Sequence, residues 1–248
     1  SVRPPSGGWA RHHGTHVAGS ASAVTNNSEW VAAIAHNVWL YLIKATISAG
    51  DGRWVHASLE WIRHAIQQQV DVVSMSFGWY SPNGCPRYFE DLFMSEAASW
   101  IVFMAAAGNS NTTSFHAPSW CPNVVAVGAT DTNDNRACFS NYGGWVDVAS
   151  PWVDIYSTIP GGGYGYLQWT SMATPVASSL IGLLISLWDE DPVKTMIDTI
   201  DPLCAIGLWA GRINVCRAVQ SLGYPCVPKE LPEWKTCYGN ANACWSWS

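Results

Sequence analysis

The sequence predicts an α/β fold in which a mostly parallel sheet is covered by helices on both faces. Three observations predict it. The chain has 248 residues and is 48% hydrophobic, which supplies a large core and excludes a disordered chain. Short apolar runs alternate with segments of helical spacing, the order that successive βαβ units impose. The apolar runs are near-continuous rather than alternating, as strands covered on both faces require.

The elements follow in chain order. Val38 to Ala45 reads as a buried strand, bounded by polar and glycine-containing segments. Val55 to Gln69 carries Val55, Leu59, Ile62 and Ile66 at helical spacing and reads as an amphipathic helix. Val70 to Ser76 is again a strand, Glu90 to Ser99 a helix, and Ile101 to Ala106 a strand. Val124 to Val127 and Val146 to Ala149 are further short strands, and Ser171 to Trp188 is the longest apolar helix. Near Gly223 the composition changes. Tyr224 to Ser248 holds three cysteines, three prolines and three tryptophans without helical period. The chain thus divides into a main domain, residues 1–223, and a small extension, residues 224–248, that needs cross-links to hold itself.

Charge and cysteine content narrow the function. The net charge is −6, charged residues make up 12%, and no Lys/Arg run occurs, so neither nucleic acid nor an anionic membrane is an expected partner. No apolar run reaches membrane-spanning length; the longest, Val176 to Trp188, contains Ser178, Ser179 and Ser186. Eight cysteines are present, none in a C-x-x-C pair. Zinc ribbons and thioredoxin-like chemistry are therefore unsupported, and disulfides in a secreted, extracellular protein are expected. Their pairing stays open, since eight cysteines allow 105 connectivities.

Three segments carry chemistry when taken together. Arg11-His-His-Gly-Thr-His-Val-Ala-Gly19 places His13 at an expected strand-to-helix corner. A metal-binding reading of His13 and His16 lacks the acidic residue of a helical zinc motif. Met104-Ala-Ala-Ala-Gly-Asn109 ends an apolar strand in an amide side chain, at the sheet edge where open α/β folds place ligands. Gln168-Trp-Thr-Ser-Met-Ala-Thr-Pro175 opens the long apolar helix with Ser171, beside unpaired backbone N–H groups and the positive end of the helix dipole. A structural His, a turn Asn and a capping Ser are each common singly. Their conjunction in this order is not.

These three motifs resemble the signatures of subtilisin-like serine proteases. The resemblance runs from about His12 to Val219 and takes in Ala23 to Ser28, Ser74 to Gly78, Val124 to Ala129 and Gly211 to Val215. It implies a three-layer αβα fold and a serine endopeptidase acting on proteins or peptides, a monomer whose own propeptide is a further possible partner. It implies His13 as general base, Ser171 as nucleophile and Asn109 as oxyanion donor. Ser74, Ser76, Phe77 and Gly78 then pair with extended substrate, while Ala105, Ala106 and Gly108 line the specificity pocket. No cofactor is implied. Calcium is a family habit, and Thr25 to Ser28 resembles one of its loops, but Asn26 and Asn27 come without a carboxylate.

The sequence also departs from the family. The third triad member is an Asp in an Asp-Thr/Ser-Gly turn before the His, yet Ser1 to His12 contain neither Asp nor Glu. The simplest expectation is a chain cut at its N-terminus, without its first strand. The family's His after Pro175 is absent, which shifts the helix phase by roughly 100° and predicts a re-registered or bulged helix. Of 16 tryptophans, Trp79, Trp100, Trp152 and Trp169 stand where relatives carry Gly, a residue that marks positive φ or close approach. Two other readings stay open: a non-catalytic descendant that binds peptides in the same cleft, and a surface- or carbohydrate-binding role for the tail.

Overall fold

The structure, a computed structural model, describes residues 9–43, 54–151, 154–203 and 211–227. Its elements are helix α1 (Trp9–Ser22), helix α2 (Trp54–Gln67), strands β1 (Val72–Met75) and β2 (Trp79–Tyr80), helix α3 (Arg87–Phe93), strands β3 (Val102–Ala106), β4 (His116–Ala117), β5 (Val124–Thr130), β6 (Val148–Pro151), β7 (Ile155–Ile159) and β8 (Gly163–Leu167), and helices α4 (Thr170–Ser186), α5 (Pro192–Asp198) and α6 (Val215–Ser221). Four strands pair in parallel in the order β1-β3-β5-β6.

Side chains alternate across this sheet and so divide between two cores. Met104, Val125, Val127 and Ala129 face α4, packing with Ala177, Leu180, Ile181 and Leu184. Met75, Phe103, Ala105 and Val124 face the other way, onto Leu59, Ile62 and Ile66 of α2 and Phe89 and Phe93 of α3. This is the three-layer αβα arrangement expected.

Four expectations need correction. Residues 38–43 form no strand, and Trp39, Leu40, Tyr41 and Leu42 are exposed; positions 44 and 45 lie outside the described residues. A run of this kind becomes a strand only beside a partner, and residues 38–43 pair with none of the described strands. The helix expected over Glu90 to Ser99 instead runs Arg87–Phe93, and a separate 3₁₀ turn covers Glu96–Ala98. His13 is not at a helix start but in the second turn of α1.

The long helix α4 neither bulges nor breaks. It is continuous over 17 residues, with Pro175 inside. Pro175 has no N–H to give to the carbonyl of Ser171, four residues back. That freed carbonyl accepts the Ser76 hydroxyl at 2.7 Å instead, so the proline joins the helix start to the segment after β1. With the family's His absent, Met172, Ala173, Ala177, Leu180, Ile181 and Leu184 still share the buried side. They recur at intervals of one, three and four, which is helical period unbroken.

Of the cysteines, Cys85–Cys121 and Cys216–Cys226 are bonded, and Cys138 is also in a disulfide. The second bond ties the segment that follows α6 back to that helix. Cys237 and Cys244 lie outside the described residues.

Candidate active site

The site is assembled from three chain crossings at the carboxyl ends of β1 and β3. After β1, the chain runs through Ser76 to Trp79; after β3, it runs through Ala107 to Asn109; the third part is the first turn of α4. Phe77, Gly78, Trp79, Ala106, Gly108, Asn109, His116, Thr170 and Ser171 line a cleft of about 500 Å³.

Asn109 is held by both neighbours. Its Oδ1 accepts from the Thr170 N–H and the Thr170 hydroxyl, each at 2.9 Å. The first helical N–H groups have no partner within their own helix, so Asn109 satisfies one of them and is fixed beside Ser171 in return. Of the two ends of the amide only the oxygen can accept from a backbone N–H, which identifies Oδ1 and leaves both Nδ2 hydrogens free of this pair. The loop carrying Asn109 is pinned by the buried Asn141, whose Nδ2 donates to the Ala107 carbonyl at 2.8 Å and whose Oδ1 accepts from Ser110 N–H at 2.9 Å.

The Ser171 hydroxyl donates to the Ser76 carbonyl at 3.3 Å, beyond the usual O–H···O range. It is a weak tether, and rotation about one side-chain bond frees the proton. Preceding it, Trp169 has φ 106° and ψ 160°, a backbone region that is essentially glycine's alone. Its ring packs on Phe139, 4.7 Å between centroids. Of the other tryptophans in family glycine positions, Trp79 lies in β2, Trp100 is exposed, and Trp152 lies outside the described residues.

His13 sits on α1, which packs along α4 and is locked by the β7–β8 hairpin. Ser157 Oγ donates to the His16 carbonyl and Thr158 Oγ1 to the Thr15 carbonyl, both at 2.9 Å. The fully buried His16 Nε2 lies 2.9 Å from the Ile155 carbonyl and 3.1 Å from that of Gly165. A Cβ on Gly19 would stand 2.4 Å from both Ser157 Oγ and Thr158 Oγ1. So in His-Gly-Thr-His-Val-Ala-Gly, His16 and Gly19 serve docking. Burial first, then the neighbouring His16, holds the His13 imidazole below its ordinary 6.5.

The structure thus brings Asn109, Thr170, Ser171 and four of the expected pocket residues, Phe77, Gly78, Ala106 and Gly108, to one cleft. His13 is not among the residues lining it. Ser76 lies against Ser171 through two hydrogen bonds. Ser74 has a buried hydroxyl without a partner, and Ala105 belongs to the core. Sequence reasoning missed Trp79, His116, Thr170 and Asn141. Thr170 was findable as the neighbour of the nucleophile; Trp79 and His116 come from the two-residue strands β2 and β4, and Asn141 from a loop, and no local pattern announces their approach. Among the described residues, no group of three or more His, Cys, Asp or Glu converges as a metal cage. In the calcium-like loop, Asn27 Oδ1 accepts from Glu29 N–H, and Glu29 accepts from the Tyr164 hydroxyl.

The match to known proteins decides the family. A model described as the subtilase family matches residues 3–208.

The chain belongs to the subtilase family.

It is similar to thermitase of Thermoactinomyces vulgaris, 38% identical over 212 residues, covering 84% of this chain and 75% of that one. It is 36% identical to subtilisin E of Bacillus subtilis over 219 residues, covering 84% of this chain and 56% of that one. Against several relatives the chain thus spans about half their length. Among solved structures, a protease from Pseudoalteromonas arctica aligns with a TM-score of 0.77 at 28% identity, over 84% of this chain and 70% of that one. The prenylagaramide maturation protease PagA aligns at 0.71 and 25% identity, over 85% and 82%. As a subtilase, the chain is a subtilisin-like serine endopeptidase. No helix of the described residues is long and apolar enough to cross a membrane.

Proposed function

We propose that this subtilase cleaves peptide bonds through an acyl-enzyme formed on Ser171, with His13 as base and Asn109 as oxyanion donor. One observation carries the reading: Asn109 is tied to the N–H beside Ser171 at the mouth of a cleft, with its amide hydrogens unused by that bond.

The chemistry runs as follows. A serine hydroxyl is a weak nucleophile until a base takes its proton. His13, neutral at pH 7 because its pKa is held down, takes that proton as Oγ bonds to the scissile carbonyl carbon. The carbonyl oxygen becomes an oxyanion. It is met by Asn109 Nδ2 and the Ser171 backbone N–H, donors placed before the charge develops. The C–N bond then breaks, His13 returns the proton to the leaving amine, and water releases the acyl group by the same steps. Substrate lies extended along Phe77 and Gly78, with one side chain reaching toward Ala106 and Gly108. The action is extracellular, consistent with the disulfides. No cofactor takes part, and the partners are protein substrates and a propeptide.

The test is reaction with a fluorophosphonate probe, followed by peptide mapping, together with hydrolysis of an unfolded protein substrate. Labelling of Ser171 and loss of both signals in Ser171→Ala is expected. A folded chain that binds unfolded substrate without cleaving it or taking the probe would sink the catalytic reading.

A further inference from the structure

One residue of the cleft, His116, has no part in that chemistry, yet its side chain is tightly confined. Its ring is wedged between the two backbone walls. A Cβ on Gly78 would stand 2.3 Å from His116 Cε1, and one on Gly108, where φ is +101°, 2.9 Å from Cδ2. Only the absence of side chains at Gly78 and Gly108 lets an imidazole span that gap. The backbone is fixed as well. His116 and Ala117 form β4, paired with Tyr80 and Trp79 of β2, and the His116 carbonyl accepts from Ser119 Oγ at 2.7 Å and Trp120 N–H at 2.8 Å. The Cys85–Cys121 disulfide joins the segments that follow β2 and β4.

The polarity of the wall is also determined. The ring hydrogen-bonds the Ala106 backbone, while its Nδ1 is buried without a partner. Burial lowers its pKa to about 4, so it is an uncharged wall at neutral pH. Phe77, Trp79 and Ala106 supply the apolar part of the lining, Asn109, Thr170 and Ser171 the polar part, and no lining residue is acidic or a Lys or Arg.

We propose that His116 sets substrate choice, admitting an uncharged side chain of limited length beside the scissile bond, because its clamped imidazole closes the space a longer one would need. The inference rests on the peptidase reading above. A charged side chain would be desolvated there with no counter-charge. An aromatic one would have to displace a ring that two backbones hold in place, and close-packed groups do not yield cheaply.

The experiment is a panel of peptide anilides that differ only at the residue whose carbonyl is attacked: Ala, Leu, Phe, Lys and Glu. For the unaltered chain, kcat/KM for Ala and Leu should exceed that for Lys and Glu by about 10-fold or more, on the scale at which a side-chain pocket discriminates. In His116→Ala the Phe:Ala ratio should rise by about 10–100-fold. In His116→Gln, similar in length and uncharged, it should stay near the original. A ratio within one variant does not depend on how much of it folds. An unchanged Phe:Ala ratio in His116→Ala, or Lys substrates cut by the unaltered chain as fast as Leu substrates, would overturn the inference while leaving the peptidase reading intact. Absence of any cleavage by the folded, unaltered chain would overturn both.

Discussion

Trp169 offers a test in which two substitutions that look alike should rank against the usual order, Gly above Ala. Its φ of 106° and ψ of 160° lie in a region that costs a side-chain-bearing residue about 1–3 kcal/mol. Its ring contributes through the contact with Phe139, about 0.5–1.5 kcal/mol beyond area burial for a pair of this kind. Trp169→Ala removes the ring and keeps the strain. Trp169→Gly removes the same ring and releases the strain. Elsewhere in a chain Gly is less stable than Ala by roughly 0.5–1 kcal/mol. Here the released strain outweighs that penalty, and Gly should be the more stable of the two by up to about 2.5 kcal/mol, or up to about 10 °C in Tm at this chain length. Relative to Trp169 itself, the Gly variant should be within about 2 kcal/mol, since the lost contact and the released strain oppose each other. The assay is thermal unfolding by circular dichroism with Ser171→Ala in every sample, which prevents self-digestion. If Trp169→Ala proves as stable as Trp169→Gly or more so, the backbone at Trp169 is not strained and the reasoning fails.

Asn109→Asp keeps an oxygen for Thr170 and replaces the oxyanion donor with a negative charge. kcat should fall by a factor of about 10²–10³ with Tm little changed; that magnitude is borrowed from the corresponding donor of subtilisin itself, and an unaltered kcat would remove Asn109 from the mechanism. Gly19→Ala places a methyl group 2.4 Å from two hydroxyls of β7, so the hairpin must shift from α1 at a cost of about 1–3 kcal/mol, visible as a lower Tm and as faster proteolysis within residues 155–167. The acid limb of kcat/KM should fall at a pH below 6.5, the ordinary histidine value, because His13 must be neutral to act and its pKa is depressed; a limb above 6.5 would contradict the buried setting. Stability should also fall with acid. His13, His16 and His116 all have depressed folded pKa values, so the unfolded chain binds the extra protons. The loss begins near 6.5 and accumulates as pH drops toward the folded values. For His116, whose folded value is about 4, it amounts to roughly 1–3 kcal/mol after allowance for partial exposure. Chemical unfolding at pH 7 and pH 4.5 measures it, and equal stability at the two pH values would refute it.

What was legible in the sequence was legible because it is local. Ala105 to Asn109 reads as a strand ending in a polar turn because each of those residues is decided by its neighbours, and α2 announces itself through four apolar residues at helical spacing. What was not legible depends on pairing between distant segments. The hairpin of β7 and β8 was missed although its register is regular, Ile155 to Ile159 against Leu167 to Gly163, because Tyr, Gly and Thr there carry no apolar alternation. Its purpose shows only in the bonds it makes to Thr15 and His16, more than a hundred residues away. His116 and Asn141 belong to the same class. One is a polar residue in a two-residue strand and the other a polar residue in a loop, and only the tertiary fold shows that glycines opposite them have been left bare to admit them.

Val38 to Ala45 illustrates the converse. Its apolar run is a sound strand signal, yet residues 38–43 are irregular and four large side chains there are exposed. Composition can say that a segment would be stable inside a sheet; it cannot supply the neighbour that completes the ladder. β1 presents an edge with no described partner on its outer side, and an apolar run lies exposed in the same molecule. The two segments do not pair with each other, and an apolar run without a partner does not become a strand. Strand propensity is conditional on a partner, whereas the helical signal of α4 is not. That helix satisfies its own hydrogen bonds. It therefore forms where the sequence says, even with Pro175 inside it and the family's following His absent.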